Sequence, residues 1–314
     1  MTRVAAVDLG TNSTRLLIAD VTGNELSEVV RQLTITRLGE GVDRRRRLLP
    51  LPIARVRNCL ADYRTEIESH GVTRTLAIAT SAVRDAENGE AFLGEIEWSY
   101  GFTTRLLDGS AEAAMMVRGV SAGRSELDDA LLVDIGGGST ELVLCSGGVV
   151  ESSTSIDVGC VRVTERFLGS DPPTPPELTA AAAYVRSLLP TLMAPTAIGV
   201  AGTVTTLATL DLGLAAYDPE RTHGHRISRA AVDEQLERLA GMALEERLRV
   251  PGVEPGRASV IVAGLVVLRE ILEAYALGEI EVSDRDILHG AAFAAAELPE
   301  PEEGLAPPGA YTSC

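Results

Sequence analysis

The chain has 314 residues, enough for one large domain or two ordinary ones, and it is 45% hydrophobic but only 4% aromatic, so its cores must be aliphatic. Its formal net charge is −17, which argues against non-specific nucleic-acid binding, and all 28 of its Lys-or-Arg positions are arginine. Without lysine there is no Lys-dependent phosphate loop, no Schiff base and no pyridoxal-phosphate anchor. The acidity is uneven. Residues 1–122 are close to neutral and the remainder carries nearly all the excess, so a polyanion is expected to approach the first half or a metal-bridged cleft. Cys59, Cys145, Cys160 and Cys314 show no C-x-x-C spacing and no signal peptide is evident, so they read as free thiols in a cytoplasmic protein. The longest apolar run, 258–268, is too short to span a bilayer.

In chain order, residues 3–20 read as an apolar strand, a tight Asp-x-Gly-x-x-Ser turn and a second apolar strand, which predicts a β-hairpin. A strand is expected at 27–36, a helix at 53–70, a strand at 74–79 and a helix at 85–98. A short strand at 103–107 and a helix at 110–120 follow, then a hinge over 121–129. Residues 130–147 repeat the opening pattern. With Asp8 set on Asp134, the pairs Gly10/Gly136, Ser13/Ser139, Thr14/Thr140 and Leu16/Leu142 coincide, which implies two domains of one ancestry. Strands at 131–134, 141–144 and 149–157 lead to a helix at 161–167 and a Pro-rich loop at 171–176. Helices are expected at 177–189, 229–247, 258–275 and 284–298, the last packing back on the first domain, with a disordered tail at 299–314. The domains are read as 1–122 and 123–298.

Three glycines in Asp134-Ile-Gly136-Gly137-Gly138-Ser139-Thr-Glu141 let the backbone approach an anion and aim several N–H groups at it, with Ser139 adding a hydroxyl. Asp134 at the strand end can hold Mg²⁺, and Glu141 can point back to the same spot to handle water or metal. In the first copy, Thr11, Asn12 and Ser13 stand where the glycines are, and Arg15 stands where Glu141 is. Phosphate gripped by Arg15 and water oriented by Glu141 would be a division of labour. Asp8 is a weaker metal candidate. A third turn, Gly199-Val-Ala-Gly202-Thr203, opens a helix whose free N–H groups suit phosphate, a weak signal by itself. Arg44–Arg47 reads more readily as a solvated loop than as a guide for a long polyanion. His223-Gly-His225 reads as two ordinary histidines, since no third ligand accompanies them.

These elements resemble the actin-like ATPase superfamily, and within it the exopolyphosphatase/guanosine pentaphosphate phosphatase family. The resemblance covers residues 3–298. It is carried in family order by VAAVDLGTNSTRLLI, RLGEGV, ATSAVRDAENGEAFL, GSAEAAMMVRGV, LLVDIGGGSTELV, DVGCVRVTERF and GVAGTVTTLA. It implies an α/β fold of two ribonuclease H-like (actin-like ATPase) domains with an interdomain cleft. It also implies a hydrolase that releases terminal phosphate from polyphosphate or guanosine pentaphosphate with Mg²⁺ or Mn²⁺, and it admits a homodimer. By position, the family's general base falls on Glu112 in Gly109-Ser-Ala-Glu112, where Ala111 replaces a first glutamate of the family pair. The resemblance also places Arg84 on phosphate, and Asp134 and Glu141 on metal and water. Arg162 and Glu165 either belong to a family motif or simply tie helix to sheet. The rival functions are a small-molecule kinase of the same fold and a non-catalytic sensor of polyphosphate or an alarmone nucleotide.

Overall fold

The computed structural model describes residues 1–299 apart from 123, 125, 126, 128, 147 and 148. The expected tail therefore lies, beyond residue 299, outside the described residues, as do four positions of the expected hinge. The elements are β1 (Thr2–Leu9), β2 (Ser13–Thr22), β3 (Glu25–Ile35), α1 (Val42–Arg45), α2 (Pro50–Ser69), β4 (Arg74–Ala79), α3 (Ser81–Arg84), α4 (Gly89–Tyr100), β5 (Thr103–Leu106) and α5 (Gly109–Ser121). Then come β6 (Ala130–Ile135), β7 (Thr140–Ser146), β8 (Val149–Ile156), α6 (Cys160–Phe167), α7 (Pro175–Leu188), β9 (Ala197–Val200) and α8 (Ala201–Asp211). The chain continues through α9 (Pro219–Thr222), β10 (Arg226–Ser228), α10 (Arg229–Ala240), α11 (Leu244–Arg247), α12 (Ile261–Ala274), β11 (Glu279–Val282) and α13 (Ile287–Ala296).

Four of the helices expected from the sequence are shorter than their apolar periodicity suggests; those expected at 258–275 and 284–298 are trimmed at both ends, to Ile261–Ala274 and Ile287–Ala296. The stretch 85–98 begins only at Gly89, whose backbone is pressed onto Val83: a methyl at that position would sit 2.1 Å from the Val83 carbonyl oxygen. Asn88 does not cap this helix and instead exchanges hydrogen bonds with the backbone of Leu48. The stretch 229–247 breaks after Ala240, and the turn is refastened where Glu246 accepts the Ala243 N–H.

The chain divides into two compact units, Met1–Ser125 together with the segment from Arg285 onward, and Glu126–Asp284. The first unit holds a sheet of order β3-β2-β1-β4-β5 and the second a sheet of order β10-β11-β9-β6-β7-β8. Each opens with three antiparallel strands and then adds a parallel strand beside the first, β4 on β1 and β9 on β6. The repeat is therefore structural: Asp8 lies opposite Arg15 across one hairpin and Asp134 opposite Glu141 across the other.

Both faces of the first sheet are buried, as the continuous apolar run of β1 requires. Ala5, Val7 and Leu9 face a core with α2 and α4, and Val4 and Ala6 face α13. In the second unit one aliphatic core gathers β6, α8 and α12. The C-terminal helix α13 crosses α5 at two glycines. A methyl on Gly119 would sit 1.9 Å from the Asp286 carbonyl oxygen, and one on Gly290 would sit 1.9 Å from the Met115 carbonyl oxygen. This close approach is what lets the last helix of the chain complete the core of the first unit. Overpacking of this kind costs about 1–3 kcal/mol. Gly290→Ala should therefore lower stability by at least that amount, read as the urea midpoint. An unchanged midpoint would mean the helices separate without cost.

Candidate functional site

In each hairpin loop the carbonyl oxygens are captured by a later segment of the same unit. In the first unit Thr11 O accepts from Gly39 N–H (2.8 Å), and Asn12 O accepts from Thr36 N–H (3.1 Å) and Arg37 N–H (2.9 Å). In the second, Gly136 O accepts from Cys160 N–H (2.9 Å), and Gly137 O from Val161 N–H (2.9 Å) and Arg162 N–H (3.1 Å). Gly138 O accepts from Arg162 Nε (2.8 Å). A trans peptide is planar, with its N–H opposite its C=O. Fixing these carbonyls inward therefore turns the N–H groups of Asn12 and Ser13, and of Gly137, Gly138 and Ser139, to the other side. Among the described residues, the amides of Asn12, Gly137, Gly138 and Ser139 meet no acceptor there. Consecutive amides facing one way form an anion-binding concavity. The Asn12 side-chain Nδ2 is also buried without a partner, a further unmet donor in the first loop. Gly159 lies so close beneath the second loop that a methyl there would be 2.4 Å from the Gly137 carbonyl group. Arg162, buried, is thereby accounted for as the brace of the glycine loop.

The rest of the first unit's site follows from α3 and α5. Thr11 Oγ1 lies 3.0 Å from Ser81 Oγ, which joins the hairpin loop to the start of α3. Arg84 ends α3 and donates from Nη1 to Leu107 O (2.8 Å) and to Glu112 Oε1 (2.5 Å). Glu112 sits in the first turn of α5, capped by Asp108, which accepts the Ala111 N–H. It is 4% exposed, and its nearest cation is the residue that the resemblance assigns to phosphate. Thus Thr11, Ser81, Arg84 and Glu112 are brought together, and Ala111 serves as a cap contact where the family has a second carboxylate.

Arg15 is held within the first unit. Its Nε and Nη2 donate to Asp8 Oδ2 (2.8 and 2.7 Å) and its Nη1 to Asp286, which ties the hairpin to the N-terminus of α13. Both Arg15 bonds to Asp8 fall on one of its two carboxylate oxygens. Burial pushes the Asp8 carboxyl up, with Arg15 only partly offsetting it. At Asp286 burial acts in the same sense, but the Arg15 charge together with the His289 hydrogen bond and charge outweighs it and holds the carboxyl far below its usual range. Asp286 also caps α13 through the Leu288 N–H, and its own N–H donates to His289 Nδ1 (3.2 Å).

In the second unit Asp134 and Glu141 are direct cross-strand partners, so their side chains share one face of the sheet. Glu141 is buried and accepts from Ser155 Oγ at 2.8 Å. Mg²⁺ is commonly held by one or two carboxylates, the remaining positions being filled by phosphate oxygens and water. The Asp134/Glu141 pair fits that donor set. Among the described residues no group of three or more His, Cys, Asp or Glu side chains is placed to hold a metal. His223 accepts the Asp284 N–H (3.1 Å) and His225 pairs with Asp211 (2.6 Å), as expected for ordinary histidines.

Helix α8 begins at Ala201, which takes φ 63°, so its first amides lie at a tightly turned strand end. Thr203 packs its side chain on Gly264 of α12, where a methyl would meet Thr203 Oγ1 at 2.5 Å. Gly202 is required for another reason: a methyl there would lie 1.3 Å from Arg257 Nη1. The Arg257 guanidinium rests on the first turn of α8, braced by Glu254 (3.1 Å), and is near enough to Cys160 to oppose the effect of burial on that thiol, which is pushed up to about 11. A cation at the positive end of a helix dipole is unfavourable unless an anion joins them. Sequence reasoning missed Arg257; the available signal was an arginine in a Gly/Pro-rich turn just before the long apolar helix α12.

The comparisons with known proteins agree with this geometry. Residues 17–297 match the Ppx/GppA phosphatase family. The chain belongs to that family. It is 41% identical over 320 residues to exopolyphosphatase 2 of Mycobacterium tuberculosis, covering 94% of this chain and 99% of the relative. Among solved structures, the Aquifex aeolicus Ppx/GppA family member superposes with a TM-score of 0.79 at 31% identity, over 94% of this chain and 97% of the other. An exopolyphosphatase from Cytophaga hutchinsonii gives a TM-score of 0.86 at 24% identity, over 95% and 99% of the two chains, a likeness of fold. The two mixed-sheet α/β units are those of the Ppx/GppA fold. Among the described residues no helix is long and apolar enough to cross a membrane.

Breaking a buried ion pair costs about 3–5 kcal/mol because the remaining charge is uncompensated. A depressed carboxyl contributes stability that is present above its unfolded pKa of about 4 and is lost as pH falls toward its folded value. Asp286→Asn should therefore be less stable than the parent at pH 7, with the gap narrowing steadily below about pH 5. Urea midpoints of the two proteins across that range test this. A gap that stays constant would show that Asp286 is not held ionised by Arg15.

Proposed function

We propose that this chain is an exopolyphosphatase, releasing orthophosphate from the end of an inorganic polyphosphate. The observation that carries the reading is the near-full-length similarity to the M. tuberculosis exopolyphosphatase, together with the buried Glu112 beside Arg84 in the first unit. In the proposed reaction a water oxygen attacks the terminal phosphorus and Glu112 accepts a proton from that water. The bridging P–O bond breaks, and its electron pair leaves with the shortened chain. Arg84 holds the Glu112 carboxylate in place and offers positive charge to the terminal phosphoryl group. The outward amides of Asn12 and Ser13 suit its non-bridging oxygens, and those of Gly137, Gly138 and Ser139 suit further phosphate oxygens.

Asp134 and Glu141 are the residues that would hold Mg²⁺ or Mn²⁺, which when bound would offset phosphate charge. Phosphoryl transfer needs chiefly positioning and charge stabilisation, and these parts are of that kind. Guanosine pentaphosphate ends in the same anhydride and is the second substrate this reading admits.

Glu112→Gln keeps the shape of the side chain and removes the proton acceptor. Turnover on polyphosphate, read as released orthophosphate with Mg²⁺, should fall by about 10²-fold or more while polyphosphate binding persists. Full turnover in that variant would refute the role. Binding without release by the unmodified protein would point instead to a sensor. A parallel assay with guanosine pentaphosphate ranks the two substrates.

A further inference from the structure

The arginine run at 44–47 places four exposed guanidinium groups in succession. Arg57, Arg226 and Arg249 each close on a carboxylate within 2.5–2.7 Å. In a chain of net charge −17 such partners are abundant. Yet Arg44, Arg45 and Arg47 are exposed and have no carboxylate within 4.0 Å among the described residues. Between residues 37 and 47 there are five arginines against two carboxylates, and one of those two, Glu40, is paired with Arg55 (2.7 Å). The segment is a local excess of positive charge on an acidic protein.

Its backbone is fastened at both ends to the groups that form the first unit's site. Gly39 N–H donates to Thr11 O, and the Gly39 backbone lies against the Thr11 and Ala82 side chains. At the other end Arg46 O accepts from Glu87 N–H (2.8 Å), and Arg46 Nη1 lies 3.9 Å from Asp85, the residue after Arg84. Arg37 and Arg46 both take left-handed φ values, 50° and 53°. At Arg46 that conformation ends α1, a common helix termination, and at Arg37 it turns the chain after β3 toward Gly39, so the backbone that carries the arginines follows a defined path.

We infer that Arg44, Arg45 and Arg47 form a subsite for the internal phosphates of a long polyphosphate chain whose end lies at Arg84 and Glu112. The inference rests on the proposed exopolyphosphatase activity and adds chain-length discrimination to it. Guanidinium groups suit the task because they pair with phosphate oxygens through forked N–H donors and stay charged at any physiological pH. A short substrate ends before it reaches the arginines, so they act only on long chains.

The test is the triple variant Arg44→Ala/Arg45→Ala/Arg47→Ala, which leaves Arg46 and its backbone contacts in place. KM for polyphosphate of several hundred residues should rise about tenfold, with kcat and all constants for tripolyphosphate unchanged. The slope of log KM against log salt for the long chain should fall by about two, since each phosphate contact contributes roughly 0.7 on a single-stranded polyanion. An unchanged long-chain KM, or an equal loss on tripolyphosphate, would overturn the inference.

A binding arm keeps the question separate from catalysis. In the Glu112→Gln background, affinity for long polyphosphate is compared with and without the triple substitution. A tenfold loss there supports the subsite even if the unmodified protein releases no phosphate, a result that would count against the proposed activity alone. A loss of affinity for single-stranded RNA with polyphosphate affinity intact would show that the loop serves a different polyanion.

Discussion

The arrangement depends on the direction in which a few peptide planes face. A planar trans peptide cannot present its C=O and its N–H to the same side, so a loop whose carbonyls are bound inward must show its amides outward. Both units use this constraint, and each recruits a different later segment to do the binding. In the first unit it is the strand end and turn at residues 36–39; in the second it is the N-terminus of α6 with the Arg162 side chain. The glycine loop alone would be free to turn its peptides either way. Its orientation comes from these braces, and a phosphate then meets donors that are already aligned.

The two units part company in how they place charge beside that shared frame. At the cross-strand position next to the loop, the first unit has Arg15 facing Asp8 and the second has Glu141 facing Asp134. The first pair is closed on itself and tied to α13 through Asp286, so it holds the fold. The second sets Asp134 and Glu141 on one sheet face, a donor pair of the kind a divalent cation takes. Arginines stand elsewhere in each unit, Arg84 beside Glu112 in the first and Arg257 against Gly202 in the second. An all-arginine protein can do this because guanidinium groups lie flat against backbone and remain charged when partly buried.

Much of this was legible in the chain itself. The repeat of Asp-x-Gly-x-x-Ser between apolar runs showed both hairpins, because a two-residue period and a tight turn leave few alternatives. Glu112 and Arg84 were legible only through family resemblance, since a glutamate in a first helical turn and an arginine in a short turn look ordinary in isolation. What composition and spacing could not show was partnership. Arg15 and Glu141 occupy equivalent positions, yet Asp286, 271 residues later in the chain, engages Arg15. Gly264 of α12 is the neighbour of Thr203, and Arg257 was invisible because the space it fills exists only where Gly202 lacks a side chain. Each of these depends on a long-range contact, the kind of information that local pattern does not carry.

The central claim is that the outward amides of the two hairpin loops are the phosphate donors. It is tested most directly by backbone amide NMR of the Glu112→Gln protein titrated with tripolyphosphate. The account predicts that the amides of Asn12, Ser13, Gly137, Gly138 and Ser139 shift downfield and saturate. Saturable binding that leaves those five resonances in place would contradict it.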